Sequence, residues 1–420
     1  MSMARLKSKK REPEHIMRRL SVTGFLILVS LGIGRAQFLD SFDGHKIEGW
    51  FFFTGDGDAT MDFTQKDGFA RLSVDGTKDH YNVWWAIIKR DVSRYLDVKK
   101  LQEPGYALRV EARVRVSHAP RRVNFMANTQ RTTNYHAYLM EYDIPDTNHW
   151  HVISMTFTNF DAVPGDKVYV QLGLTDCGPD KYYVDLDYYR ADVVNAARAG
   201  PDKGEPLPYH PPVPGTDTFA NHLVVTEDSV INSDFPDVNF DDWRVEDENG
   251  TAHILTVDSV QWPILRWDFG KYKGLKADGP GLLELTTYSV LKGGKYIEHW
   301  GQDFGEEFGK VRVIEIPGGD PKWNQDTVTY NSLMQGHAVS EVINSQMTYD
   351  LDVADKRGSK NYVTISRPVL QRLLDGKTKG LVIRPLGALV TSFYASEAGT
   401  NGPVLYFNVR TRPQSTRQVE

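Results

Sequence analysis

Apolar and polar residues alternate along many short segments of this chain. Segment 107–116, ALRVEARVRV, shows the pattern most clearly. A period of two residues is typical of a β-strand with one buried face. The same pattern predicts further strands at 152–158, 168–174, 182–189, 282–288, 311–316 and 404–409. Segment 369–374, VLQRLL, has helical spacing and is followed by Gly376, so it predicts a short helix.

A proline-rich stretch divides this series of strands into two groups. Segment 195–216, NAARAGPDKGEPLPYHPPVPGT, has no apolar periodicity and predicts an extended linker. We therefore expect an all-β protein with two antiparallel β-sandwich modules, of the jelly-roll type, at 37–194 and 217–412. Residues 413–420 are expected to form a tail. Short strands separated by regular turns are typical of such sandwiches.

The first 36 residues have the pattern of a secretory signal peptide. Basic residues precede an apolar stretch at 25–33, and the small residues Gly34 and Ala36 then offer a cleavage point. The apolar stretch is too short to span a bilayer. We expect secretion and no membrane contact after cleavage, with an uncleaved N-terminal anchor as the alternative. A single cysteine, Cys177, excludes an intramolecular disulfide, which makes a bacterial source more plausible than a disulfide-rich ectodomain.

Charge changes the range of expected partners. The chain carries 49 Lys and Arg and 55 Asp and Glu, a formal net charge of −6. Segment 1–36 contributes +6 of this balance, so the mature chain is close to −12. We expect no nucleic-acid partner, because the phosphate backbone requires a cationic surface. Acidic, aromatic-rich secreted chains are suited to neutral saccharides, or to acidic glycans held locally by arginine and Ca²⁺.

The N-terminal module contains four motifs in a fixed order. They are FDGHKIEGW at 42–50, Pro104-Gly105 before a strand, Trp150 before 153–158, and YVDLD at 183–187. With these motifs the module resembles the CenC-type carbohydrate-binding jelly rolls. The resemblance implies polysaccharide binding and a structural Ca²⁺ held by Asp43 and Asp185. Carboxylate oxygens are suitable ligands for calcium. The alternative is that both aspartates are turn or edge residues.

The C-terminal module contains an ordered series of motifs, at 226–231, 235–240, 265–269, 281–285, 323–331, 349–353, 393–398 and 403–405. In these segments it is similar to the DNRLRE or disaggregatase-related domains, which include carbohydrate-binding module family 96. Trp267 and Tyr330 depart from the family pattern, as does an insertion at 241–260. The resemblance implies a β-sandwich that binds polysaccharide, including acidic ones such as alginate.

Aromatic side chains that stack on pyranose rings are the candidate sugar contacts. One candidate group is Tyr81, Trp84 and Trp85, and another contains Tyr135 and Tyr138 on a predicted strand at 131–142. Either group can instead belong to the core.

Common catalytic motifs such as Gly-x-Ser-x-Gly, HExxH and the P-loop are absent from the sequence. A polysaccharide lyase acting on uronates is the main enzymatic alternative to binding alone. It needs a cation for the uronate and a Tyr or His base, and Arg131, Asn134, His136 and Tyr138 supply those residue types. Glycoside hydrolysis, and a role in surface or matrix adhesion, are also compatible with the sequence.

Overall fold

The computed structural model describes residues 37–44, 47–54, 58–78, 85–175, 180–207, 211–248, 250–292, 309–344, 348–387 and 389–411. The predicted signal peptide at 1–36 and the predicted tail at 413–420 lie outside these ranges. None of the helices in these ranges has the length and hydrophobicity that a membrane-spanning helix needs.

Strands dominate the described residues. In the N-terminal half they are β1 (Phe38–Asp40), β2 (Trp50–Thr54), β3 (Thr60–Lys66), β4 (Phe69–Asp75), β5 (Trp85–Asp91), β6 (Tyr106–Val116), β7 (Arg121–Thr129), β8 (Leu139–Ile144), β9 (His151–Thr158), β10 (Val168–Thr175), β11 (Lys181–Asn195) and β12 (Pro206–Leu207).

In the C-terminal half the strands are β13 (Asn221–Val224), β14 (Glu227–Asn232), β15 (Arg244–Asp247), β16 (Gly250–Val257), β17 (Gln261–Arg266), β18 (Lys276–Ala277), β19 (Gly281–Lys292), β20 (Lys310–Glu315), β21 (Thr348–Asp352), β22 (Lys360–Ile365), β23 (Leu381–Leu386), β24 (Leu389–Tyr394), β25 (Val404–Phe407) and β26 (Val409–Arg410).

The helices are short. The α-helices are α1 (Val98–Leu101), α2 (Tyr330–Met334), α3 (Val339–Val342) and α4 (Arg367–Leu374). Single turns of 3₁₀-helix occur at Ser93–Tyr95, Tyr135–Tyr138, Ala196–Arg198, Thr216–Thr218 and Gly270–Tyr272, and a longer one at Ser396–Asn401. Helix α4 includes all of segment 369–374, so the predicted helix is confirmed.

The N-terminal half is a sandwich of two antiparallel six-stranded sheets. Sheet I has the order β3-β4-β11-β6-β9, with β1 paired to β11, and sheet II has the order β12-β8-β7-β10-β5-β2. Alternate residues of each strand point into the core between the sheets, as Ala86 and Ile88 do on β5 and Val170 and Leu172 do on β10. The opposite residues of sheet II form its outer face.

The C-terminal half has a further layer. A seven-stranded sheet (sheet III, β13-β25-β19-β24-β16-β15 with β22) packs on a five-stranded one (sheet IV, β14-β17-β23-β20-β21). A second apolar cluster lies on the other side of sheet IV, where Leu333 of α2 and Val342 of α3 join Trp262, Ile314 and Val382. Sheet IV is therefore buried on both faces. The predicted all-β class with antiparallel sandwiches is confirmed.

The proline-rich segment 195–216 is bound to both halves. β12 pairs with the edge of sheet II, where Pro206 lies opposite Tyr142. Leu207 packs in the core of the C-terminal half, and the Thr364 hydroxyl donates to the carbonyl oxygen of Pro212 at 2.8 Å. The described residues on both sides of 208–210 are thus held by backbone and side-chain contacts.

A buried ion cluster also joins the halves. Arg372 on α4 contacts Asp143 of β8 at 2.8 Å and Glu315 of β20 at 2.9 Å, and both carboxylates are almost fully buried. Thr378 and Asn344 donate further hydrogen bonds to Glu315. The C-terminal half therefore contacts the outer face of sheet II at the Asp143 end of β8.

Candidate functional site

The outer face of sheet II combines aromatic side chains at its border with buried polar side chains. Because Ala86 and Ile88 point into the core, Trp85, Ile87 and Lys89 of β5 lie on the outer face. The registers of β2, β5, β10, β7 and β8 then place residues in rows across this face. One row is Phe51, Lys89, Gln171, Met126 and Leu139, and the next is Phe53, Ile87, Gly173, Asn124 and Glu141.

Aromatic side chains border this face. Phe51 is 61% exposed and Phe53 is 38% exposed on β2, the edge strand. Trp85 meets Phe53 edge to face, with ring centroids 5.4 Å apart. The ammonium group of Lys89 lies 4.3 Å from the ring centroid of Tyr169, and desolvation lowers the pKa of this lysine. Exposed phenylalanines side by side on a sheet edge offer flat apolar surface to a ligand.

Polar amides form the floor of the same face. Asn124, Asn128 and Gln171 are buried there, and Gln171 Nε2 donates to Asn128 Oδ1 at 2.6 Å. Gly173 lies among them, where a Cβ atom would approach Ile87 Cγ1 to 2.9 Å and Asn124 Oδ1 to 3.1 Å. A side chain at position 173 would therefore fill the floor. The aromatic border suits a ligand with apolar ring faces.

Trp85 is the one member of the first predicted sugar-binding group that the structure describes. It lies on the outer face of sheet II, partly exposed, against Phe53. Tyr81 and Trp84 lie outside the described residues.

The second predicted group does not lie on a strand, and the predicted strand at 131–142 is wrong in its first part. Residues Tyr135–Tyr138 form a 3₁₀ turn, and the strand begins at Leu139. Tyr135 is 50% exposed. Tyr138 is partly buried and stacks edge to face with Phe160 at 4.8 Å, while its hydroxyl donates to the carbonyl oxygen of Asn159 at 2.8 Å. The structure thus gives Tyr138 a packing role.

The residues suggested for a lyase stabilise their own loop. The Arg131 guanidinium contacts Asp166 at 2.8 Å and Asp161 at 3.1 Å, and it holds the pKa of Asp166 well below its usual range. The Asn134 side chain accepts the backbone N–H of His136 at 3.0 Å, which caps the 3₁₀ turn. His136 is exposed. Together with the contacts of Tyr138, this geometry offers no observation that favours the lyase hypothesis.

The suggested calcium ligands have different surroundings. Asp43 is exposed in the segment after β1. The Asp185 carboxylate is fully buried and accepts hydrogen bonds from Arg71 at 2.6 Å and Arg115 at 2.8 Å. Two guanidinium groups therefore neutralise Asp185, and this set does not fit a calcium ion. In the part of the chain that the structure describes, no cluster of three or more His, Cys, Asp or Glu residues could hold a metal.

The outer face contains residues that were not predicted. Phe51, Phe53 and Tyr169 were not among the sequence candidates, although the run Trp50-Phe51-Phe52-Phe53 was visible. Three phenylalanines in succession cannot all point into one core from a strand, so at least one must point outward. That run was the available signal.

Comparison with known proteins finds no matching family model and no matching curated protein. Among solved structures, the CBM22-1 xylan-binding domain from Paenibacillus barcinonensis Xyn10C is 14% identical, with a TM-score of 0.26, and covers 39% of this chain and 97% of its own. The CBM22-1–CBM22-2 tandem from the same protein is 11% identical, with a TM-score of 0.26, and covers 90% of this chain and 97% of its own.

A family 11 carbohydrate-binding module from Clostridium thermocellum, in complex with a β-1,3-1,4-mixed-linked tetrasaccharide, is 13% identical. Its TM-score is 0.25, and the match covers 37% of this chain and 94% of that chain.

Proposed function

We propose that this chain is a secreted polysaccharide-binding protein built from two β-sandwich modules, and that the glycan lies on the outer face of sheet II. The observation that supports the proposal best is that Phe51, Phe53 and Trp85 lie together at the border of the face with exposed or partly exposed rings. Pyranose rings have apolar faces that stack on such side chains.

The overall charge is consistent with this proposal. A formal net charge of −6, or close to −12 without residues 1–36, disfavours nucleic acid as a ligand. Secretion, and the absence of a membrane partner after cleavage, follow as proposals from the signal-peptide pattern. The proposed activity is binding of the glycan without cleavage, and binding alone needs no catalytic residue.

Retention on glycans tests the proposal directly. The full chain is applied to alginate, pectin, ulvan, hyaluronan, xylan and mixed-linkage β-glucan by affinity gel electrophoresis or pull-down. We expect retention on at least one glycan, and we expect the Phe51→Ala, Phe53→Ala double variant to bind it about tenfold more weakly, a loss of about 1.4 kcal/mol. Both side chains are exposed, so the melting temperature should change little.

Phe235→Ala is the matched control, because Phe235 is 58% exposed but lies in the C-terminal half. It should bind like the unmodified chain. Binding to none of the glycans, or equal binding by the double variant, contradicts the proposed site. An unsaturated product that absorbs in the ultraviolet would identify a lyase instead.

A further inference from the structure

The outer face of sheet I carries a set of arginine and aromatic side chains that the proposed glycan site does not use. Alternate residues of β4 and β6 point into the core, so Arg71, Arg113 and Arg115 lie on the outer face. The side chains of Arg71 and Arg115 are 27% and 32% exposed. This face is on the opposite side of the sandwich from Phe51 and Phe53.

A buried carboxylate fixes two of these guanidinium groups side by side. Asp185 accepts hydrogen bonds from Nε and Nη2 of Arg71 at 2.6 and 3.0 Å, and from Nη2 of Arg115 at 2.8 Å. One carboxylate therefore neutralises only one of the two cations. Arg113 is paired separately with Asp187 at 3.0 Å. The three arginines and two aspartates thus keep a surplus of positive charge, in a chain that is acidic overall.

Arg115 has hydrogen-bond donors that the fold does not use. Its Nε and Nη1 atoms have no hydrogen-bond partner among the described residues, and neither of them is buried. Both guanidinium groups are also held against aromatic rings. That of Arg71 lies 3.7 Å from the ring centroid of Tyr183, and that of Arg115 lies 4.7 Å from that of Trp150. Donors that are fixed before binding lose less conformational entropy when a ligand arrives.

The neighbouring parts of the face are covered or balanced in charge. Farther along β6, Arg109 donates to the carbonyl oxygen of Pro201, so the segment after β11 covers that end. On β3, the exposed Asp62 and Lys66 have opposite charges and lie on either side of the position that pairs with Arg71. The surplus charge therefore stays at the guanidinium pair on Asp185.

Trp150 supplies a ring surface at the same place. Its side chain is partly exposed and lies edge to face with Phe69, with ring centroids 6.0 Å apart. The guanidinium of Arg113 lies 5.6 Å from the centroid of the Trp150 ring. An accessible tryptophan beside a cation suits a sugar ring that carries a negative charge.

We propose that this part of the outer face of sheet I binds the anionic group, carboxylate or sulfate, of an acidic saccharide. Arg115 donates to the anion from the N–H groups that Asp185 does not use, and the Trp150 ring packs against the sugar. Hydrogen bonds from a guanidinium to an oxyanion are stronger than those between neutral groups. The inference goes beyond the proposed function, because it adds a second site on the opposite sheet and does not depend on the first.

Short saccharides that differ only in charge test this inference. The full chain is titrated by calorimetry with tetragalacturonate and its methyl ester, and with a sulfated carrageenan tetrasaccharide and its desulfated form. In at least one pair we expect the acidic form to bind about tenfold more tightly than the neutral form, and added NaCl should weaken this preference. The pair that shows the preference identifies the anionic group.

Arg115→Met tests the guanidinium group. It removes the unused donors and the surplus charge but leaves Asp185 paired with Arg71, so the variant should fold and lose the preference for the acidic form. Arg244→Met is the matched control. Arg244 is also paired with one carboxylate and follows the exposed Trp243, but it lies in the C-terminal half, so the preference should remain.

Trp150→Ala is a second variant that leaves every ion pair of the site intact. It should weaken binding of the acidic tetrasaccharide several-fold, and circular dichroism checks that both site variants fold. The double variant Phe51→Ala, Phe53→Ala alters the other sheet and should retain the acid preference. The two sites are thus measured separately.

Equal or absent binding of the acidic and neutral forms in both pairs overturns the inference, as does an acid preference that Arg115→Met and Trp150→Ala both leave intact. Loss of the preference in the Phe51→Ala, Phe53→Ala variant alone would place the anion on sheet II and would also overturn it. Tighter binding of a single-stranded oligonucleotide of equal charge than of either acidic saccharide overturns the choice of a saccharide. None of these results decides the proposed function, which is tested by glycan retention and the phenylalanine variants.

Discussion

Asp228 on β14 makes the stability of the folded chain depend on pH. Its side chain is almost fully buried, and its carboxylate accepts the backbone N–H of Ser396 at 2.9 Å and the Ser396 hydroxyl at 3.0 Å. Desolvation raises its pKa to about 7, and the neighbouring Glu397 and Asp241 add to this effect. An unfolded aspartate has a pKa of about 3.9.

Between about pH 4 and pH 7, the folded chain therefore keeps a proton on Asp228 that the unfolded chain has already released. This residue lowers stability as the pH rises through that window, and its contribution is constant above it. We expect Asp228→Asn to gain stability relative to the unmodified chain from pH 4 to pH 7, by on the order of 4 kcal/mol in total.

Urea unfolding at a series of pH values measures the difference between the two proteins. Asp234→Asn, an exposed neighbour, controls for the loss of one carboxylate. The opposite outcome is that the free energies of unfolding of Asp228→Asn and of the unmodified chain differ by the same amount at every pH in this range. That result would show that Asp228 is ionised in the folded state.

At the scale of elements, side-chain hydrogen bonds hold the segment after β11 in place although it has little regular secondary structure. Arg109 of β6 is buried and donates to the carbonyl oxygens of Ala199, Gly200 and Pro201 at 3.1–3.2 Å. Asp202 in turn accepts the backbone N–H of Thr156 at 3.0 Å. Residues 199–202 of the predicted linker therefore lie against sheet I.

We expect Arg109→Met to release this segment, because three carbonyl oxygens lose a charged donor at once. Trypsin should then cleave after Lys203 at least about tenfold faster, since the rate of such cleavage follows the population of the open form. Limited digestion followed by mass spectrometry measures the rate. Arg113→Met on the same strand pairs with Asp187 instead and should digest like the unmodified chain. Equal rates for both variants would contradict the role of Arg109.

The positions of several strands were predictable from the sequence, whereas one turn and two helices were not. Segment 107–116 lies within β6, because alternation depends only on one buried face. The same alternation gave a wrong prediction at Asn134, His136 and Tyr138, where the Asn134 side chain caps a 3₁₀ turn instead. Helices α2 and α3 were not predicted, since their burial depends on the outer face of sheet IV, which is distant in sequence.

At the scale of the whole molecule, Arg372 connects the two halves. It pairs with Asp143 of one half and Glu315 of the other. Burial raises the pKa of Asp143, and Arg372 opposes that shift. Removing one member of such a buried cluster leaves its partners as unpaired buried charges, which is far more costly than losing an exposed pair.

We expect Arg372→Met to destabilise the protein by about 3–5 kcal/mol. Arg367→Met, which breaks the more exposed contact with Glu205 between the same halves, should cost about 1 kcal/mol or less. Scanning calorimetry should show one transition for the unmodified chain, and a lower or divided transition for Arg372→Met. Two separate transitions in the unmodified chain, or equal effects of both variants, would contradict a joint structural unit.

The sequence by itself determined the all-β class, the positions of many strands and the negative charge, because these depend on local alternation and composition. Only the tertiary structure decided which aromatic residues border the outer face of sheet II, and that Arg71 and Arg115 neutralise Asp185. Arg71 and Asp185 are separated by 114 residues, and pairing across such distances depends on strand register and sheet order, which local patterns do not specify.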